Sequence, residues 1–291
     1  MDMHRPRRHG DGLPLRSSGD LEQVTSAVRH GGAASRIARR AQLRERFAAL
    51  AGGDPMLRVD GLIAGYGAVE VVHGVDLCLG EGQALCLIGP TGAGKSTILH
   101  SIFGLTDIRG GRIEVGGRNV ARLGPNAKLR DAGIAFVLRD SSVFPDMTVE
   151  ENLRLGGQLT GRRADTSHAT ERVFERCAVL AARRNEPARA LCCGERRLLE
   201  ISRAFVMRPR LLLVDEPSLG LDPGFTDQIF GMLRDLRDHD GVSIVLVEQN
   251  VRKGLELADI GGVMAAGELA TVGSGPELLR DPTVARLFFG G

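Results

Sequence analysis

From Met56 onward, short apolar runs alternate with glycine turns and with charged, helix-forming stretches. Leu57-Arg58-Val59 opens the first extended segment, and Val69–Leu79 alternates apolar and polar residues like a strand with a turn. Ala84–Ile88, Ile134–Val137, residues 211–214 and Ser243–Val247 are short β-rich runs with almost no polar alternation, as in central strands covered on both faces. Between them, Lys95–Phe103, residues 148–158 and residues 170–182 predict helices. Residues 268–273 predict a late turn, and residues 276–289 a terminal helix. Strands interleaved with helices predict an α/β architecture built on a mostly parallel sheet.

Residues 1–55 follow another pattern. Residues 1–19 hold Arg5, Pro6, Arg7, Arg8 and Pro14 with almost no core-forming side chain, which is the composition of a disordered tail. Over residues 35–50, Ile37, Leu43, Phe47 and Leu50 stand among Arg36, Arg39, Arg40, Arg44 and Arg46. This spacing predicts a short amphipathic helix packed loosely on the body, its arginines in solvent. A basic face for an acidic membrane surface or partner is the sharper alternative. Met56, directly before the first strand, offers an alternative start of translation that would leave this tail out. The expected division is a basic tail over residues 1–55 and one folded domain over residues 56–291.

Composition narrows the class. At 291 residues, 43% hydrophobic and 25% charged, the chain is long enough for one sizeable core and a smaller subdomain. Lys and Arg total 38 against 36 Asp and Glu, so bulk charge does not point to nucleic acid or to another strongly charged partner. Thirty-nine glycines without a Gly-X-Y period suit tight turns and phosphate loops. No apolar run approaches the roughly 20 residues of a bilayer span, and the N-terminus lacks the apolar stretch of a signal peptide. These features predict a soluble, cytosolic chain that reaches a membrane only through partners. Five cysteines (Cys78, Cys86, Cys177, Cys192 and Cys193) form no Cys-x-x-Cys, which disfavours a disulfide framework or a zinc site.

Two segments carry chemistry. Gly89-Pro90-Thr91-Gly92-Ala93-Gly94-Lys95-Ser96-Thr97 fits the phosphate-loop pattern, and it lies between an apolar strand and a helix as that pattern requires. Glycines let successive N–H groups curl around phosphates, and the helix start adds its dipole. Lys95 would reach the β- and γ-phosphates, and Ser96 would offer its hydroxyl to Mg²⁺. Leu211-Leu212-Leu213-Val214-Asp215-Glu216 is an apolar strand that delivers two carboxylates to its C-terminal edge, where open α/β sheets bind ligands. Asp215 would hold the metal, and Glu216 would act as general base toward water.

With both segments in view, the chain resembles the nucleotide-binding subunits of ABC transporters, most of all the ATPases of branched-chain amino-acid uptake systems, over residues 56 to about 289. The resemblance implies a P-loop NTPase fold of the ABC ATPase type: a mostly parallel core sheet, an antiparallel β subdomain and a helical subdomain at about residues 145–205. Tyr66, the single tyrosine, matches the aromatic that stacks on adenine. Phe144 to Leu153 is similar to the segment after the glutamine loop. Ser218-Leu219-Gly220-Leu221-Asp222-Pro223 resembles the D-loop, which implies a nucleotide contact by Asp222. Val247-Glu248-Gln249-Asn250 resembles the switch segment, with Gln249 as a neutral γ-phosphate contact where the wider family has His. The resemblance further implies ATP and Mg²⁺ as ligands, with permease subunits, a second ATPase subunit and, indirectly, a solute-binding protein as partners. It also implies a peripheral place on the inner face of the cell membrane. ATP hydrolysis energising import of branched-chain amino acids or related solutes follows as the expected function.

Three segments depart from the family pattern. The family's signature Leu-Ser-Gly-Gly-Glu is written here Leu191-Cys192-Cys193-Gly194-Glu195, so a weak thiol donor replaces a hydroxyl and a Cβ stands at position 193. Weaker closure over a partner's nucleotide is expected, and in a heterodimer two unequal sites. At the glutamine loop, Val137-Leu138-Arg139 replaces Val-Pro-Gln. Arg139 cannot coordinate a cation, which leaves it swung outward or set against a phosphate oxygen. Arg196-Arg197 replaces glutamines and reads as a solvated helix face. These departures keep an alternative in play, a degenerate subunit that binds ATP as a structural clamp. A repair or translation ATPase would need a second nucleotide domain or a long insertion, and a kinase would leave the signature-like segment unexplained.

Overall fold

Two sheets organise the chain in the computed structural model, which describes residues 33–140, 142–158 and 163–288. The smaller sheet is antiparallel, in the order β2–β1–β4–β5, with β1 at Leu57–Tyr66, β2 at Val69–Leu79, β4 at Asp107–Val115 and β5 at Arg118–Asn119. The larger has six strands in the order β10–β9–β3–β8–β7–β6. Its strands β3 (Ala84–Ile88), β6 (Ile134–Val137), β7 (Leu211–Asp215), β8 (Ser243–Val247) and β9 (Ile260–Ala265) run parallel, and β10 (Glu268–Ser274) joins the edge antiparallel.

The unbroken apolar runs have a direct cause in this layering. Ala84, Cys86 and Ile88 of β3 enter one core, under the helices, together with Leu212 and Val214 of β7 and Ile244 and Leu246 of β8. Leu85, Leu87, Leu211, Leu213, Val245 and Val247 enter a second core, shared with the antiparallel sheet. Each central strand is therefore buried on both faces, and polar residues stand only at strand ends, Asp215 closing β7 and Ser243 opening β8. The helices are α1 (Ala33–Ala51), α2 (Lys95–Phe103), α3 (Pro125–Ala132), α4 (Val149–Gln158), α5 (Arg163–Arg176), α6 (Ala178–Ala182), α7 (Cys193–Val206), α8 (Pro223–Asp238), α9 (Val251–Leu257), α10 (Gly275–Arg280) and α11 (Pro282–Phe288). Helices α4 to α7 fall within the stretch expected to be a helical subdomain.

Several local expectations change. Residues 268–273 form strand β10 rather than a turn, because Leu269 and Val272 are buried against β9, and the reversal lies at Ala266-Gly267 with positive φ. Strand β9 is masked in sequence by Gly261-Gly262. Those glycines answer to packing: a Cβ on Gly261 would stand 2.5 Å from Leu278, and one on Gly262 would stand 3.0 Å from Leu87. The helix expected over 170–182 is two helices, divided at Cys177. Pro282 divides the terminal one in the same way, and Phe289 lies outside the described residues.

Helix α1 differs most from expectation. Phe47 is 1% exposed and sits in the second core, with Leu43 and Leu50 packed beside it. Its arginines engage carboxylates of the body: Arg39 with Glu268 at 2.7 Å, Arg44 with Asp60 at 2.9 Å, Arg46 with Glu277 at 2.9 Å, and Arg40 with Asp76. The helix is thus docked through its apolar side rather than packed loosely. The expected tail over residues 1–19 lies outside the described residues. No helix among the described residues is long and apolar enough to cross a membrane.

Lys128 on α3 is fully buried and donates to the carbonyls of Ile102 at 2.7 Å and Ser101 at 3.4 Å, at the C-terminal end of α2. Burial pushes its ammonium down to about 8. The unfolded chain therefore holds more protons between that value and the ordinary lysine range, so stability rises with pH across that window. Urea midpoints measured between about pH 7.5 and pH 10 should rise by less in Lys128→Met than in the native chain.

Candidate nucleotide site

Parallel pairing sets the C-terminal ends of four adjacent strands side by side. Leu87 of β3 is in register with Val247 of β8, Val247 with Asp215 of β7, and Val214 with Val137 of β6. The loops leaving these ends carry Gly89–Gly94, Gln249, Glu216 and Arg139 to one edge of the sheet.

The first loop curls from buried β3 into α2. Gly89, Gly92 and Gly94 all have positive φ, and Gly94 is the N-cap of α2 in a left-handed conformation. A Cβ at Gly89 would meet the carbonyl of Met264 at 2.4 Å, whereas one at Gly92 would meet nothing within 4 Å. Lys95 is buried, and its ammonium donates to the carbonyls of Gly89 at 2.8 Å and Pro90 at 2.9 Å, so the loop arches around the charge. Burial lowers the Lys95 pKa, against the pull of Glu216 and Asp215. Thr91 is exposed on the arch, Ala93 is buried beneath it, and Thr97 is buried in the first turn of α2.

Ser96 donates to Asp215 Oδ1 at 3.0 Å, which joins the start of α2 to the end of β7. Burial raises the Asp215 pKa, partly countered by that hydrogen bond. A hydroxyl and a single nearly buried carboxylate are hard oxygen donors of the kind Mg²⁺ takes when phosphates and water complete its shell. Among the described residues no cluster of three acidic, His or Cys side chains could hold a metal unaided. The residues therefore fit a metal that arrives with a phosphate ligand.

Glu216 follows with a φ of +46°, an unusual conformation for a side chain of its size, and its N–H donates to Val247 O at 2.8 Å. Gln249 Nε2 donates to Glu216 Oε1 at 2.8 Å. Glu216 Oε2 has no hydrogen-bond partner among the described residues and faces Arg139 Nε at 3.3 Å. Arg139 is half exposed and also reaches a partner that neither expected placement named, the Glu216 carboxylate. It sits on the carboxylate.

Other expected residues lie further out. Tyr66 is partly exposed at the end of β1; its hydroxyl meets His100 Nδ1 at 2.6 Å, and the two rings pack edge to face. Asp222 caps α8, accepting from Phe225 N at 3.0 Å. Cys192 caps α7: its sulfur accepts from Glu195 N at 3.5 Å, and its own N–H donates to Glu195 at 2.8 Å. Glu195 also pairs with Arg183 at 3.1 Å. A Cβ on Gly194 would overlap the Phe225 ring at 2.2 Å, while both cysteine side chains are exposed.

Two contributors were not read from sequence. Glu248 is buried after β8 and accepts from Ser218 N at 3.1 Å, Gln249 N at 2.6 Å and Asn250 N at 2.8 Å, and from the Ser218 hydroxyl. A carboxylate ending an apolar strand was the available signal, the same one that marked Asp215. Burial raises the Glu248 pKa in spite of these donors. Arg197, expected in solvent, has a side chain only 11% exposed, and it donates to Leu138 O at 2.7 Å and Arg139 O at 2.5 Å.

The ABC transporter family model matches residues 72–219. The chain is 37% identical to the high-affinity branched-chain amino acid transport ATP-binding protein BraG of Pseudomonas aeruginosa, over 81% of this chain and 100% of that one. It is 33% identical to the probable branched-chain amino acid transport ATP-binding protein LivF of Archaeoglobus fulgidus, over 81% of this chain and 99% of that one. Among solved structures, the ADP conformation of an ATP-binding cassette of an ABC transporter superposes with a TM-score of 0.70 at 25% identity, covering 82% of this chain and 100% of that one.

Proposed function

The chain belongs to the ABC transporter family as an ATP-binding, ATP-hydrolysing subunit, and from that membership we propose that it energises the import of branched-chain amino acids or closely related solutes. The observation that carries the mechanism is the convergence of Lys95, the Ser96–Asp215 pair and the Glu216–Gln249 pair at adjacent strand ends. In this reading Lys95 turns from the loop carbonyls to phosphate oxygens and offsets their charge. Ser96 and Asp215 would hold Mg²⁺, which would supply neutralisation of the phosphates' charge. Glu216 accepts the proton of the attacking water, and Gln249 orients the Glu216 carboxylate and contacts the γ-phosphate. The Tyr66 ring lies against the adenine, and Gly89 to Thr97 wraps the phosphates.

Cys192, Cys193, Gly194 and Glu195, with Asp222 of the D-loop-like segment, serve the nucleotide of a second ATPase subunit. Permease subunits hold this chain at the inner face of the cell membrane, and a solute-binding protein delivers the solute to them. Reconstitution with those permease subunits tests the solute. ATP-dependent uptake of labelled leucine, isoleucine or valine into vesicles is the expected result. ATP turnover stimulated by another solute, with none of these three taken up, would assign a different cargo.

A further inference from the structure

We propose that Arg139 is a latch on Glu216, set and released through Arg197 on the helix that begins at the signature segment. The inference rests on the reading of Glu216 as general base. A general base needs a lone pair aimed at water. In this structure one Glu216 oxygen accepts from Gln249 at 2.8 Å, and the other faces the Arg139 guanidinium at 3.3 Å. In this resting arrangement both carboxylate oxygens face side chains of the protein itself.

The two ends of Arg139 are placed very differently. Its side chain is 48% exposed against a carboxylate 5% exposed, so the ion pair is partly screened and can open. Its backbone is fixed. Arg197 donates to both Leu138 O and Arg139 O, and Glu200 braces Arg197 at 2.8 Å. Glu200 also accepts from Ser142 N at 2.6 Å, and Arg203 donates to Ser142 O at 2.7 Å and Oγ at 2.6 Å. Three successive turns of α7 thus hold the loop at Leu138, Arg139 and Ser142, and the loop moves with the helix.

Helix α7 starts at Cys193, four residues before Arg197, with Cys192 as its cap. A partner that grips Cys192 to Glu195 therefore pulls on the element to which the Arg139 backbone is tied. Displacement of α7 draws the guanidinium from Glu216 and frees the base. The signature segment in this way reports to the chain's own catalytic carboxylate through two arginines that stand where the family pattern has glutamines.

Steady-state ATP turnover of the purified chain tests the latch, with Arg139→Gln, Arg139→Lys, Arg197→Gln and the double Gln variant. Arg139→Gln should raise kcat about fivefold, the hold expected of a partly screened ion pair, with KM for ATP within about twofold of native. Arg139→Lys, which keeps the charge but not the guanidinium, should raise kcat by clearly less than Arg139→Gln. Arg197→Gln should raise kcat as well, and the double variant should gain nothing beyond Arg139→Gln. Should Arg197→Gln not fold, the contrast between Arg139→Gln and Arg139→Lys decides alone. An unchanged or lower kcat in Arg139→Gln, in a chain whose turnover Glu216→Gln abolishes, overturns the latch and leaves the base assignment standing. Turnover that stays near the native rate in Glu216→Gln overturns both.

Discussion

Glu216→Gln is expected to lower steady-state ATP turnover by about two to three orders of magnitude while ATP affinity stays within about threefold of native. The size follows from what the substitution removes. Glu216 sits at the end of a strand buried on both faces, in a φ of +46° that its N–H bond to Val247 O holds in place. Glutamine has the same shape and still offers Gln249 an oxygen, so the backbone conformation survives. What disappears is the basic carboxylate, whose contribution as a positioned general base is worth about 10²–10⁴. Affinity is spared because the phosphate contacts belong to the loop before α2. Phosphate release and equilibrium nucleotide binding, measured on the same preparation, separate the two effects. A parallel loss of both would mean that Glu216 shapes the loop rather than the chemistry.

Phe47→Ala should destabilise the fold by about 3–5 kcal/mol. The side chain is fully buried in the core shared by the two sheets, and its helix closes that core from outside. Removing the ring leaves a cavity that helix α1 cannot collapse to fill, because ion pairs to Asp60, Asp76, Glu268 and Glu277 fix it from both sides. Arg46→Ala is the internal control. Its pair with Glu277 is half-exposed on both sides, so its loss should cost no more than about 1 kcal/mol. Urea unfolding of the two variants distinguishes a docked helix from a loosely attached one; equal small effects would return α1 to the solvated state that its arginines suggested.

Sequence made the parallel core legible because two-sided burial forbids polar residues, and that constraint writes itself as unbroken apolar runs at β3, β7 and β8. The phosphate loop and the Asp215-Glu216 pair were legible for a related reason: glycines and carboxylates at strand ends are what such an edge requires. Strands β4 and β9 were not, since Gly110-Gly111 and Gly261-Gly262 look like turns until the neighbours that crowd them are known. Helix α1 misled through its arginines. A run of like charges reads as a solvated face, but the carboxylates that pair with it come from other elements, β1, β2, β10 and α10, the last two far away in sequence. Arg139 and Arg197 were noticed as unusual residues, yet their partners are a strand-end carboxylate and two loop carbonyls, which only the tertiary fold brings within reach.

The central claim is that these strand ends bind ATP around Lys95, and a calorimetric titration of Mg·ATP into the native chain and into Lys95→Ala tests it most directly. The native chain should give a saturable isotherm. Loss of one charge-assisted donor to the phosphates should weaken that affinity by between about tenfold and about a hundredfold, with the thermal midpoint of the variant confirming that it folds. Equal affinity in the two proteins, or no saturable binding by a folded native chain, would contradict the account.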